Sequence, residues 1–226
     1  MYSITLKSRR AVSKTVTMVV LLVVGIAIGF AGGWMLQEQT IVSLTNARNS
    51  QAIYVDSANK EVDIQATANA YAFANGTMHG LNWQGGSLAS EAAFITVVAP
   101  TELYNALMSL GATPSNNVLL TSAAGTLTSG THITIYVTWT GAPKKYLLTD
   151  LLLGYNLTSG AGTFGFGGNL ATNTKLATGC MACLYSCAVG IVSSNINGWQ
   201  SPLMWKLNPA LVQPGQNVTF VYQIAS

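Results

Sequence analysis

His132-Ile133-Thr134-Ile135-Tyr136-Val137-Thr138-Trp139-Thr140 alternates polar and apolar side chains over nine residues. Neighbouring side chains on a strand point to opposite faces, so a period of two predicts a half-buried strand. Glu61-Val62-Asp63-Ile64-Gln65-Ala66-Thr67 repeats the pattern, with residues 52–56 a short strand before it and Ser57-Ala58-Asn59-Lys60 a turn between them. Residues 93–99, 184–193 and 217–224 are further strand candidates. One helix is expected between them. Pro100 sits at its start, Gly111 ends it, and Leu103, Ala106, Leu107 and Leu110 form an i, i+3, i+4, i+7 stripe. Asp150-Leu151-Leu152-Leu153 suggests one more helical turn. The expected fold class is therefore α+β: a mainly antiparallel sheet with one packed helix.

Outward from this domain, the start of the chain has a different character. Lys7, Arg9, Arg10 and Lys14 precede a 22-residue uncharged, mostly apolar run over 15–36. About 20 helical residues cross a bilayer core, so the run predicts a single N-terminal transmembrane helix. Positive charge stays on the cytoplasmic side, which places the N-terminus inside and the main domain outside. Trp34 falls near the outer end of the run, at headgroup level. The expected organisation is a cytoplasmic basic leader at 1–14, the membrane helix at 15–36, a stalk at 37–51 and an extracellular domain at 52–226.

Charged residues make up 8% of the 226, against about a quarter in an ordinary soluble domain. Four of the 10 basic residues lie in the leader, and all 7 acidic ones follow Gln37, so the exterior part is near neutral. A nucleic-acid partner needs a concentrated basic face, and none is expected here. Ser, Thr, Asn and Gly take the place of charge. This composition suits either an acidic medium or a surface covered by glycans or neighbours. Asn75, Asn156 and Asn217 each open an Asn-x-Thr glycosylation triplet.

Glu91-Ala92-Ala93-Phe94-Ile95-Thr96-Val97-Val98-Ala99-Pro100 leads into Glu102-Leu103-Tyr104-Asn105-Ala106-Leu107-Met108-Ser109-Leu110-Gly111-Ala112-Thr113-Pro114. This block, with residues 52–60 before it and 132–140, 150–153 and 214–221 after it, resembles the YdjY-type domain over roughly 52–226. The resemblance departs at Ser90, where a histidine commonly precedes the glutamate. It implies fold and boundaries and carries over no biochemical activity. Arg9-Arg10-Ala11-Val12-Ser13-Lys14 and the apolar run resemble the class III signal of archaeal type IV pilin-like proteins. That resemblance implies cleavage between Ala11 and Val12.

Cys180, Cys183 and Cys187 are the one cluster that could carry chemistry. On a helix their i, i+3, i+7 spacing shares one face and could present soft thiolates to a metal. On a strand over 184–193 they divide between faces. One local disulfide with one buried thiol is the simpler expectation in an oxidising compartment, and a Cys₃His zinc site would need His79 or His132 from far away. The two histidines, Glu91 and Asp150 read as structural or surface groups, and Trp139, Trp199 and Trp205 as core or rim. Gly160 to Gly168 lacks the lysine and helix of a phosphate loop. No catalytic residue, cofactor or metal is assigned.

The expected function is non-enzymatic: a membrane-anchored cell-surface accessory, binding or assembly subunit. Its partners are proteins of a surface or membrane complex, self-assembly included. One alternative is a pilin-like filament subunit. Another is an extracytoplasmic redox or metal accessory protein using the three cysteines.

Overall fold

The computed structural model describes residues 51–155 and 164–225. Residues 51–226 form one compact unit. The leader with Ala11 and Val12, the 15–36 run, the stalk to residue 50 and Asn156 lie outside the described residues. Among the described residues, no helix is long and apolar enough to cross a membrane.

Twelve strands are described: β1 (Ile53–Asp56), β2 (Glu61–Ala68), β3 (His79–Trp83), β4 (Phe94–Thr96), β5 (His132–Thr138), β6 (Tyr146–Leu147), β7 (Leu152–Leu153), β8 (Phe164–Phe166), β9 (Cys180–Cys183), β10 (Val192–Ser194), β11 (Lys206–Leu207) and β12 (Asn217–Ile224). Hydrogen bonding runs β2-β12-β5-β8-β10-β9-β3-β4, and β4 then pairs β2 again. Eight strands thus close into a barrel. The expected α+β class is overturned, because the sheet curls until its two ends meet and the few helices form no separate layer. Closure rests on two residue pairs, Thr67 with Ile95 and Ala68 with Phe94. The first half of the same β2 edge is taken by β1, with Ile53 opposite Ile64. Most pairings are antiparallel, but β3 with β4 and β9 with β10 are parallel.

Alternation explains which residues fill the barrel. Val62, Ile64, Ala66 and Ala68 of β2, Ile133, Ile135 and Val137 of β5, and Val218, Phe220, Tyr222 and Ile224 of β12 all join one buried cluster. The last strand is the best paired. Residues from Asn217 to Gln223 face β2, and Thr219 to Ile224 face β5. On the outer face of β2, buried Glu61 accepts from Lys145 Nζ at 3.2 Å and from Gln223 Nε2 at 3.3 Å.

Three helices are described: α1 (Tyr71–Ala74), α2 (Pro100–Ser109) and α3 (Leu170–Lys175). The expected helix is α2. Pro100 opens it, and the Glu102 carboxylate accepts from the Ala99 N–H at 2.7 Å, satisfying a group that helix geometry leaves free. Gly111 ends it at φ +85°, a left-handed conformation that glycine adopts freely. Leu103, Ala106 and Leu107 are buried in the same cluster as the barrel interior, and Leu110 packs against it half-buried. The expected turn near Asp150 is a 3-10 turn at Leu148–Leu151.

The Tyr222 hydroxyl is fully buried with no hydrogen-bond partner among the described residues. A buried hydroxyl left unpaired loses its water and gains nothing. Tyr222→Phe keeps the ring and removes that loss, so urea denaturation should show stability unchanged or raised by up to about 1–3 kcal/mol. A loss above about 1 kcal/mol would mean that the hydroxyl has a partner.

Candidate functional site

The expected strand over 184–193 does not form. The chain runs up β9 as Cys180–Cys183, turns through residues 184–191, and returns as the short parallel strand β10. Parallel neighbours need a connection that carries the chain back to the same end, and this turn supplies it. The consequence for the cysteines is direct. Cys180 and Cys183 are joined as a disulfide with their Cα atoms 6.4 Å apart, and Cys187 is a buried free thiol. All three pack with Val189 in a small cluster separate from the main core, covered by Tyr185 and Trp199.

Backbone bracing fixes this turn. Asn173 Nδ2 donates to the Cys180 carbonyl at 2.9 Å and to the Val189 carbonyl at 2.6 Å. Asn169 Nδ2 donates to the Cys187 carbonyl at 2.8 Å. Both asparagines are buried and belong to α3 or the residue before it. In a dry interior such bonds are stronger than in water and fix the turn.

His79 completes the site from the neighbouring strand. It opens β3 directly opposite Cys183 of β9, and the register between the two strands shifts just after it. Its Nδ1 lies 4.0 Å from Cys180 Sγ. One ligand atom from each of His79, Cys180 and Cys183 lies within 4.8 Å of the others, and all three residues are buried. Burial lowers the His79 pKa below its usual value, against an opposing pull from the Glu91 carboxylate. A neutral imidazole with a free lone pair is the form that ligates metals. Burial likewise pushes the Cys187 thiol up, with amide donors from Val189 and Gly190 pulling the other way.

Sequence spacing found the cysteines and left their histidine open between His79 and His132. His79 is 101 residues from Cys180, and nothing local in Met78-His79-Gly80 announces it. The other expected groups stay apart. His132 is exposed at the start of β5, with Nδ1 3.4 Å from Asn195 Nδ2. Glu91 and Asp150 are exposed. Trp205 is buried against Tyr155, Trp139 stacks on Tyr146, and Trp199 lies over the cysteine cluster. Residues 164–166 of the glycine-rich stretch are not a loop but buried strand β8. Asn75 and Asn217 are both exposed. Thr77 of the first triplet is buried and donates to the Glu91 carbonyl at 2.5 Å, so its hydroxyl is free for recognition only before folding.

The fold and site together define a small closed β-barrel with a buried Cys–Cys–His constellation on its outer wall. The YdjY domain pattern matches residues 53–223, and the chain belongs to that family. It is 34% identical over 146 residues to a protein of Escherichia coli (strain K12) named "Uncharacterized protein YdjY". The match covers 65% of this chain and 64% of that protein, so the chain spans just under two thirds of that relative's length. No solved structure matches.

Proposed function

We propose that the protein is a membrane-tethered accessory subunit of the extracytoplasmic surface, which binds protein partners and turns over no substrate. The observation that carries this reading is an uncharged apolar surface on two loop segments. Residues 115–129 and 195–204 contain no Asp, Glu, Lys or Arg. Within them Leu119, Leu120, Leu127, Ile196, Leu203 and Met204 are exposed, Leu120 and Met204 by 54% each. The segments are tied together where Gly125 N–H donates to the Trp199 carbonyl and Trp199 N–H to the Thr126 carbonyl, both at 2.9 Å.

Exposed apolar side chains without interspersed charge favour a covered surface, because burial against a partner removes them from water and strands no ion. The leader and the apolar run at 15–36 support the tether and its orientation.

The test is the native mass of the full chain extracted from its own membrane in mild detergent. An assembly well above the 23.7 kDa chain is expected. Leu119→Lys with Leu127→Lys should release the single chain while the far-ultraviolet dichroism stays unchanged. A wild-type chain that is already single in the extract would overturn the reading. The pilin-like alternative would instead show a mature chain beginning at Val12.

A further inference from the structure

We propose that His79, Cys180 and Cys183, with both thiols reduced, hold one thiophilic cation, copper(I) ahead of zinc. The disulfide and the metal-loaded dithiol are then two states of the same residues.

The geometry supplies three converging donors. β3 and β9 are adjacent, His79 and Cys183 are register partners, and the irregularity after His79 breaks strict alternation along β3. The imidazole and both sulfurs thereby gather on one side of the wall, within 4.8 Å of one another. A cation about 2.0–2.3 Å from each nitrogen or sulfur donor fits inside that circle. Both sulfurs belong to β9, and β9 and the turn after it are held by Asn169 and Asn173 through the Cys180, Cys187 and Val189 carbonyls.

A second observation points into the same space. Ser193 Oγ is fully buried with no hydrogen-bond partner among the described residues. A Cβ placed on Gly190 would lie 2.3 Å from this oxygen and 2.8 Å from Cys183 Sγ, so hydroxyl and sulfur crowd the same point against the Gly190 backbone. A thiolate at Cys183 would accept a hydrogen bond from the Ser193 hydroxyl, which has no other partner among the described residues. Hydrogen bonding to a ligating sulfur in this way orients it and tunes the metal.

Donor chemistry chooses the ion. Two thiolates and one imidazole are soft to borderline ligands, and the constellation contains no carboxylate. Structural zinc takes four protein ligands, and catalytic zinc takes water in the fourth position. Cys180 and Cys183 are each 0% exposed, so water does not fill a fourth place readily. Copper(I) is satisfied by three.

A dithiol reductant gives two electrons and two protons to the Cys180–Cys183 bond and leaves as its own disulfide. Copper(I) binding then releases the two thiol protons.

The test uses the full chain in detergent, reduced under anaerobic conditions and titrated with copper(I) against a chromophoric copper(I) chelator. One copper per chain is expected, with two sulfurs and one nitrogen at the metal by X-ray absorption. The same chain with its disulfide intact should bind none, a control that needs no mutation. Cys187→Ser should bind as wild type, whereas His79→Gln and Cys183→Ser should weaken binding by about 100-fold or more. Circular dichroism checks that each variant is folded. The proposal fails if the reduced, folded wild type takes up no copper, if the disulfide form binds equally, or if zinc displaces copper. It also fails if Cys187→Ser abolishes binding while His79→Gln retains it.

Discussion

Phe220→Ala is expected to lower the unfolding free energy by about 3–5 kcal/mol, read as a lower urea midpoint at constant slope. Phe220 is 0% exposed on the central strand β12, with its ring 4.9 Å from Phe94 in an edge-to-face arrangement and 6.3 Å from Tyr222. Phe94 belongs to β4, the strand that closes the barrel against Ala68. The ring pair thus spans the interior beside a seam made by only two residue pairs. Truncation removes the apolar contact and leaves a void that rigid strands on every side cannot fill. Phe220→Leu keeps most of the volume and should cost less than about 1.5 kcal/mol. A cost below about 1 kcal/mol for alanine would show that the barrel collapses onto the gap.

Gly179→Val should destabilise by about 3 kcal/mol or more, by two mechanisms that can be separated. Gly179 has φ +75°, where an L-residue with a Cβ is strained by about 1–2 kcal/mol. Its added Cβ would also lie 2.8 Å from Gly86 Cα, a backbone atom. Trp83 N–H donates to the Gly179 carbonyl at 2.9 Å and Ser87 N–H to the Ala177 carbonyl at 2.8 Å, so the two segments cannot part without breaking bonds. Gly215→Ala is the control. Gly215 has φ +78° but open space around its Cβ position, so only the strain of about 1–2 kcal/mol should appear. Equal losses at both positions would mean that the Gly86 contact costs nothing.

Strands with long, regular alternation were legible in the sequence. β2, β5 and β12 each set apolar side chains on the core face against polar ones over seven or eight residues, and period two shows them directly. The helix was legible because Pro100, the Leu103 stripe and Gly111 mark its start, face and end. Closure was not. It depends on two pairs between residues 28 and 26 apart and on strands of three to five residues, too short to carry a period. β8 and β9 are buried on both faces, so they show no alternation at all. The cysteines announced themselves by spacing, and the expected local disulfide with one buried thiol is the arrangement found. Their histidine partner is set by the β3–β9 pairing, a tertiary fact with no local trace. The scarcity of charge was visible as composition, but which leucines face water follows only from the packing.

The position of β12 also sets when this domain can fold. It lies between β2 and β5 and pairs with both along nearly its whole length, yet it follows every other described strand in the sequence. During synthesis, β2 and β5 therefore have no common neighbour until residues 217–224 are free of the ribosome. Before that moment the interior is an open trough of apolar side chains with two unpaired edges, a species prone to aggregate. The growing domain must be kept from other chains until those residues emerge. Its last eight strand residues act as the keystone of the barrel.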